Sequence, residues 1–212
     1  MKNQLFSNTE KEKIEAAIQV AEKKTNGEIV VHVSKQSDSY LIGAFLCSLS
    51  LGITSLILET ISNLYLTNEV SGFEKLFSVG IFIVGFVLAY FVPNVCIIFV
   101  PQNEIYKRVI QKAQLIFLEK ELFKTKDRTG LLIFISQLER KVEVLGDTGI
   151  NNQIAPAQWE NIVNEITLGI KNKNASDGII KGISLASELL VSSNFHIKPD
   201  DENELPNTIS FD

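Results

Sequence analysis

The sequence predicts an α/β domain with helices on both faces of a small mixed sheet, interrupted by a two-helix transmembrane hairpin. Three observations predict it. Two long runs carry no charge, Tyr40–Leu58 and Leu76–Val100. Outside them the chain has the charge density of an ordinary globular protein and switches between helical and strand periodicity. The helix and strand that precede the hairpin cannot form a core alone, so their partners must come from beyond it.

Composition sets the outer limits. The chain has 212 residues, 45% of them hydrophobic, with a net charge of −5. That length suits one domain plus an additional element. The mild negative charge and the lack of a basic patch give no footprint for nucleic acid, and none is expected as a partner. The two cysteines, Cys47 and Cys96, lie in or at the edge of the uncharged runs. Their spacing fits neither a metal site nor a disulfide framework, and they read as small apolar residues. The polar start, Met1-Lys2-Asn3-Gln4, leads straight into a helical pattern, so no signal peptide is expected.

Residues 7–26 read as an amphipathic helix opened by a capping box, Ser7 with Glu10, and closed near Gly27. Glu28–Ser34 alternates as a strand, with Ile29, Val31 and Val33 on one face and Val30 and His32 on the other. Tyr40–Leu58 then runs 19 uncharged residues, about 28 Å of helix, close to the thickness of a bilayer core. The second span begins near Phe73–Leu76 and ends between Val92 and Phe99, with Pro93 as a kink or stop. Gly43, Gly52, Gly80 and Gly85 offer close approach between the two helices.

The flanks give an orientation. Lys23, Lys24 and Lys35 precede the hairpin and Lys107, Arg108 and Lys112 follow it, whereas the loop Glu59–Lys75 has three acids and a single base. The positive-inside rule then places both soluble pieces in the cytoplasm of a bacterial cell, as a multi-pass protein of the cell membrane, with the lipid bilayer as a partner.

Glu104–Lys124 returns to helical spacing. Gly130–Ser136 is almost wholly apolar, as befits a central strand covered on both faces, and Lys141–Gly146 alternates, as a half-exposed strand that pairs with it. Pro156 opens a helix carrying Trp159, Ile162 and Ile166, and Asp177 is positioned to cap a last helix. The tail, Pro199–Asp212, has five acids and no base and reads as extended, with Leu205-Pro206 and Ile209–Phe211 available for docking. The organisation expected is therefore 1–39 as the first part of the domain and 40–100 as the hairpin, with helices at about 40–58 and 76–97. Residues 101–198 form the second part of the domain and 199–212 an acidic tail.

Three stretches carry a family resemblance: Thr25–Val33, Thr125–Ile150 with its T-x-x-R-T-G-L-L-I-F-I-S and L-G-D-x-G-I motifs, and Trp159–Ile170 followed by Asp177-Gly178. Together they resemble the TPM domain family. The resemblance implies a three-layer α/β/α fold. It also implies a choice of roles: acid phosphatase in plant members linked to photosystem repair, a receptor-associated membrane protein, and divalent-cation binding in some bacterial members. Many members have an exported domain and a C-terminal anchor; here the inserted hairpin departs from that layout.

Loops that converge beyond strand ends carry Glu28, Asp127, Arg128, Asp147 and Asp177. Asp147, flanked by Gly146 and Gly149, suits a hard cation such as Ca²⁺ or Mg²⁺, with Asp127, Glu28 and Asp177 as further candidate ligands; Arg128 suits an anion. No organic cofactor is expected. Each candidate also has a plain structural reading: Asp147 as a turn residue, Asp127-Arg128 as a solvated pair, Glu28 as an edge carboxylate and Asp177 as a helix cap. No nucleophile-and-base arrangement or phosphate-binding glycine loop emerges from spacing. Two functions are consistent with this pattern. One is a membrane-tethered accessory module that binds an unidentified protein partner and a divalent cation; the other is a weak metal-assisted phosphatase.

Overall fold

Ser7 starts the first helix as its spacing predicts. Its hydroxyl accepts from the Glu10 N–H at 3.3 Å while the Glu10 carboxylate accepts from the Ser7 N–H at 2.8 Å. The computed structural model describes residues 6–65, 72–197 and 203–212 of the chain. Its elements are α1 (Asn8–Glu22), β1 (Glu28–Ser34), α2 (Leu41–Tyr65), α3 (Gly72–Phe91), α4 (Pro93–Cys96), α5 (Gln102–Glu119), β2 (Gly130–Ser136), β3 (Lys141–Gly146), α6 (Thr148–Asn151), α7 (Glu160–Lys171), α8 (Ala175–Ser192) and β4 (Ser210–Phe211). Single 3₁₀ turns occupy Ile97–Phe99, Leu122–Lys124 and Pro156–Trp159. The chain divides into two compact units, Met1–Ser37 with Arg108–Asp212, and Asp38–Lys107.

The first unit holds a four-stranded mixed sheet in the order β3-β2-β1-β4. β1 and β2 pair in parallel from Glu28↔Gly130 to Ser34↔Ser136, and β2 and β3 pair antiparallel from Leu131↔Gly146 to Ser136↔Lys141. All seven residues of β2 are buried, as expected of a strand flanked on both sides. On one face Ile29, Val31, Val33, Leu131, Ile133 and Ile135 pack with apolar residues of α1, α7 and α8 in one core. Val30, His32, Leu132 and Phe134 alternate to the other face; all are buried, and so are Val109, Ala113 and Ile116 of α5. The helix termini depart from the sequence reading. α1 stops at Glu22 rather than near Gly27, α5 stops at Glu119, and α8 begins after Asn174, leaving Asp177 inside the first turn.

In the second unit, α2 and α3 pack side by side. A Cβ on Gly52 would lie 3.3 Å from Phe82, one on Gly85 3.2 Å from Leu51, and one on Gly43 would run into the Cys96 carbonyl of α4, so three of the four glycines line close contacts between the two apolar segments; Gly80 faces nothing within 4 Å. Among the described residues one helix is long and apolar enough to cross a membrane, Leu41–Ser62, and Phe77–Phe91 is a shorter apolar helix. The expected second span running to residue 97 is therefore broken. The chain leaves the helix at Val92 and restarts at Pro93, because the residue before a proline is pushed out of helical conformation and proline itself is at home in a first turn. Parts of the connecting loop (66–71) and of the acidic tail (199–202) lie outside the described residues.

Candidate functional site

Three loops meet at one end of the sheet: 25–27 before β1, 125–129 before β2, and 147–149 after β3. Buried threonines fix them. Thr25 Oγ1 donates to the Phe195 carbonyl at 2.6 Å and accepts from the Gly27 N–H at 3.2 Å. Thr125 Oγ1 accepts from the Thr129 N–H at 2.9 Å, and Thr129 Oγ1 donates to the Asn26 carbonyl at 2.8 Å. Gly149 closes the third loop. Its N–H donates to the Arg128 carbonyl at 3.1 Å, and a Cβ there would lie 2.6 Å from the carbonyl oxygens of both Asp127 and Arg128. Glycine at this position thus lets chain approach chain, where the sequence reading reserved it for a ligand.

Four of the five sequence candidates sit at this end. Asp147 is 4% exposed and caps α6, accepting from the Thr148 N–H at 2.6 Å. Its two oxygens also receive the Arg128 guanidinium in a fork, Nε to Oδ2 at 2.6 Å and Nη2 to Oδ1 at 3.0 Å. The carboxylate beside it raises the Arg128 pKa above its ordinary value, mainly through the hydrogen bond. Asp127 accepts from Asn26 Nδ2 at 3.3 Å, and the Asn26 Oδ1 is buried without a hydrogen-bond partner. Glu28 is buried and accepts from the backbone N–H groups of Glu204 at 3.2 Å and Leu205 at 3.3 Å. Asp177 stands apart, accepting from Asn174 Nδ2 at 2.7 Å next to the start of α8. No group of three or more His, Cys, Asp or Glu side chains that could hold a metal ion occurs among the described residues.

The whole cluster lies at the amino ends of the parallel pair. Ligands of open α/β sheets gather beyond the carboxyl ends. At the carboxyl end here, Ser136 Oγ donates to the Glu139 carboxylate, whose other oxygen takes the Ser37 N–H at 2.7 Å.

Sequence reasoning missed two features. Glu22, at the end of α1, accepts from the Ile29 N–H at 3.1 Å, and its second oxygen is buried without a partner. Burial first, and the charge of Glu28 next, push its pKa up to about 7. It borders a cavity of about 520 Å³ with Glu15, Gln19, Glu28, Asn203 and Asn207. The second feature is a Ser210–His32–Asp212 chain on β4 and β1. The His32 chain leaves no local signal, since it joins residues far apart in the sequence.

Residues 93–189 match a family model described as TPM domain. That segment, somewhat under half of the chain, is similar to a TPM domain. The matched segment begins at α4 and ends within α8, so it takes in Asp127, Arg128, Asp147 and Asp177 and leaves out Glu22, Glu28 and His32. A solved structure supports the fold of the TPM domain: the NMR structure of the BA42 protein from the psychrophilic bacterium Bizionia argentinensis. It is 24% identical, aligned over 100% of this chain and 99% of that one, with a TM-score of 0.61. No curated protein matches the chain.

Proposed function

We propose that this protein is a membrane-anchored accessory protein whose TPM domain works as an interaction module on the cytoplasmic side. The observation that carries the reading is Leu41–Ser62, long and apolar enough to span a bilayer and only 28% buried. A core helix of a water-soluble protein would be largely covered, and exposed apolar surface on this scale marks a membrane or partner surface. Large side chains such as Ile42, Leu58, Phe77 and Leu88 are more than half exposed on α2 and α3. The basic flanks favour a cytoplasmic domain. The candidate carboxylates also favour binding over catalysis, because each is already engaged by a guanidinium, an amide or backbone N–H groups.

A divalent cation belongs to this proposal through Asp127 and the unpartnered oxygen of Asn26, since oxygen donors suit Ca²⁺ and Mg²⁺. The competing reading is a metal-assisted phosphatase, which rests on the family resemblance. Purified full-length protein separates them. The expected result is no turnover of p-nitrophenyl phosphate with Ca²⁺ or Mg²⁺, together with a rise in melting temperature on Ca²⁺ addition that Asp127→Asn removes. Metal-dependent turnover abolished by Asp147→Asn would instead establish the phosphatase.

A further inference from the structure

Residues 203–212 lie along the outer edge of β1 and are held mainly through side chains, those of the domain and that of Glu204. Glu28 takes the N–H groups of Glu204 and Leu205, Glu15 takes the N–H of Ile209 at 3.3 Å, and Glu204 takes the Lys126 N–H at 2.9 Å. Ladder pairing is limited to two positions, His32↔Ser210 and Val33↔Phe211. Phe211 leans on Phe6, at 6.3 Å between ring centroids, and lies under the Lys11 ammonium at 4.7 Å.

The firmest attachment is at the end of the strand. His32, 3% exposed and stacked on Phe134 at 5.9 Å, faces the Ser210 hydroxyl through Nδ1 at 2.8 Å and Asp212 Oδ1 through Nε2 at 3.0 Å. Asp212 Oδ2 also accepts from Ser34 Oγ at 2.7 Å and Lys112 Nζ at 3.3 Å. A neutral imidazole is accommodated: Nε2–H donates to the carboxylate and Nδ1 accepts from the Ser210 hydroxyl, whose single proton is then drawn away from the more distant Val31 carbonyl at 3.4 Å. A protonated imidazole does not fit as well. One carboxylate would then answer His32 and Lys112 together, with the Lys120 charge also felt at the ring.

We propose that the C-terminal strand is a releasable strap over the β1 edge, held closed at neutral pH by the Ser210–His32–Asp212 chain and opened by acid while β1 and β2 stay paired. The titration of the groups involved supports this direction. Burial holds the His32 pKa below its ordinary 6.5, with the Lys120 and Lys112 charges helping and Asp212 opposing. The Asp212 pKa is also held down: burial would raise it, but the bonds from Ser34, His32 and Lys112 outweigh that. A depressed pKa contributes stability above the unfolded value that is lost as pH falls through the folded one, so the strap weakens from 6.5 downward, first through His32 and later through Asp212. Release frees Glu15 and Glu28 from the tail and bares the edge of β1 for a strand from a partner.

Hydrogen exchange on the full-length protein in detergent micelles tests this. Between about pH 7.5 and about pH 5, protection of residues 203–212, corrected for intrinsic exchange, should fall roughly tenfold or more. Protection of Gly130–Ser136 should hold. His32→Gln, which cannot take up a proton, should abolish the step. Equal protection of the tail at both pH values, or joint loss of tail and β2 protection, would overturn the proposal. The wild-type comparison is decisive even where the variant does not fold.

Discussion

Arg128 adopts a φ of 58°, a left-handed conformation that costs an arginine energy and is tolerated only where the surroundings hold it. Here the guanidinium reaches the buried Asp147. Arg128→Gly relieves the backbone but loses the fork, and Arg128→Ala loses the fork and keeps the strain. The melting temperatures should therefore fall in the order wild type, Arg128→Gly, Arg128→Ala. Asp147→Ala removes the cap of α6 as well and should cost about 1–2 kcal/mol in chemical denaturation. Glu22 gives a pH dependence of opposite sign to that of the strap. Its pKa is raised from 4.5 to about 7, so the stability it contributes is fully present below 4.5 and lost as pH rises through 7. Glu22→Gln should thus be close to neutral at about pH 5 and stabilising by on the order of 1 kcal/mol at about pH 8, after allowance for solvent screening. At this scale the sequence made the loop residues visible, because Asp and Gly concentrate in the turns between strands, each for a physical reason. It did not make visible that Asp147 answers Arg128, or that the Glu28 carboxylate receives the tail. Those pairings are set by the register of β1 on β2 and β3, which no local pattern encodes.

The strands were the most legible elements. Glu28–Ser34, Gly130–Ser136 and Lys141–Gly146 fall where alternation and apolar runs place them, since a buried strand needs its periodicity throughout. Helix ends were less legible because several residues compete to stop a helix. Lys23 rather than Gly27 ends α1, and Asn174 rather than Asp177 precedes α8. Pro156 opens a 3₁₀ turn, and α7 proper begins at Glu160. The third loop depends on Gly149. Gly149→Ala drives a methyl against two carbonyl oxygens at 2.6 Å and should lower stability by about 1–3 kcal/mol. The denaturation midpoint should move with no change in helix content at the start of the titration.

The molecule as a whole holds one compact unit built from residues on both sides of an inserted apolar unit, and the TPM-domain match is confined to residues 93–189. That insertion was the plainest feature of the sequence, because charge is absent from it over lengths a soluble domain of this size cannot bury. The break at Pro93 was legible only as a possibility; whether a proline kinks or ends a helix depends on the contacts around it. Ile53 is half exposed on the long helix, and Ile53→Arg should weaken membrane retention by about 2.5–3.5 kcal/mol if the helix spans. The most direct measurement uses an impermeant thiol reagent on intact cells, in a background without Cys47 and Cys96 and with protein that resists alkaline carbonate extraction. A cysteine at Asn68 should be labelled in intact cells, and one at Ser184 only after lysis. Labelling of Ser184→Cys in intact cells, or release of the protein by carbonate, would contradict a membrane-tethered module with its domain inside.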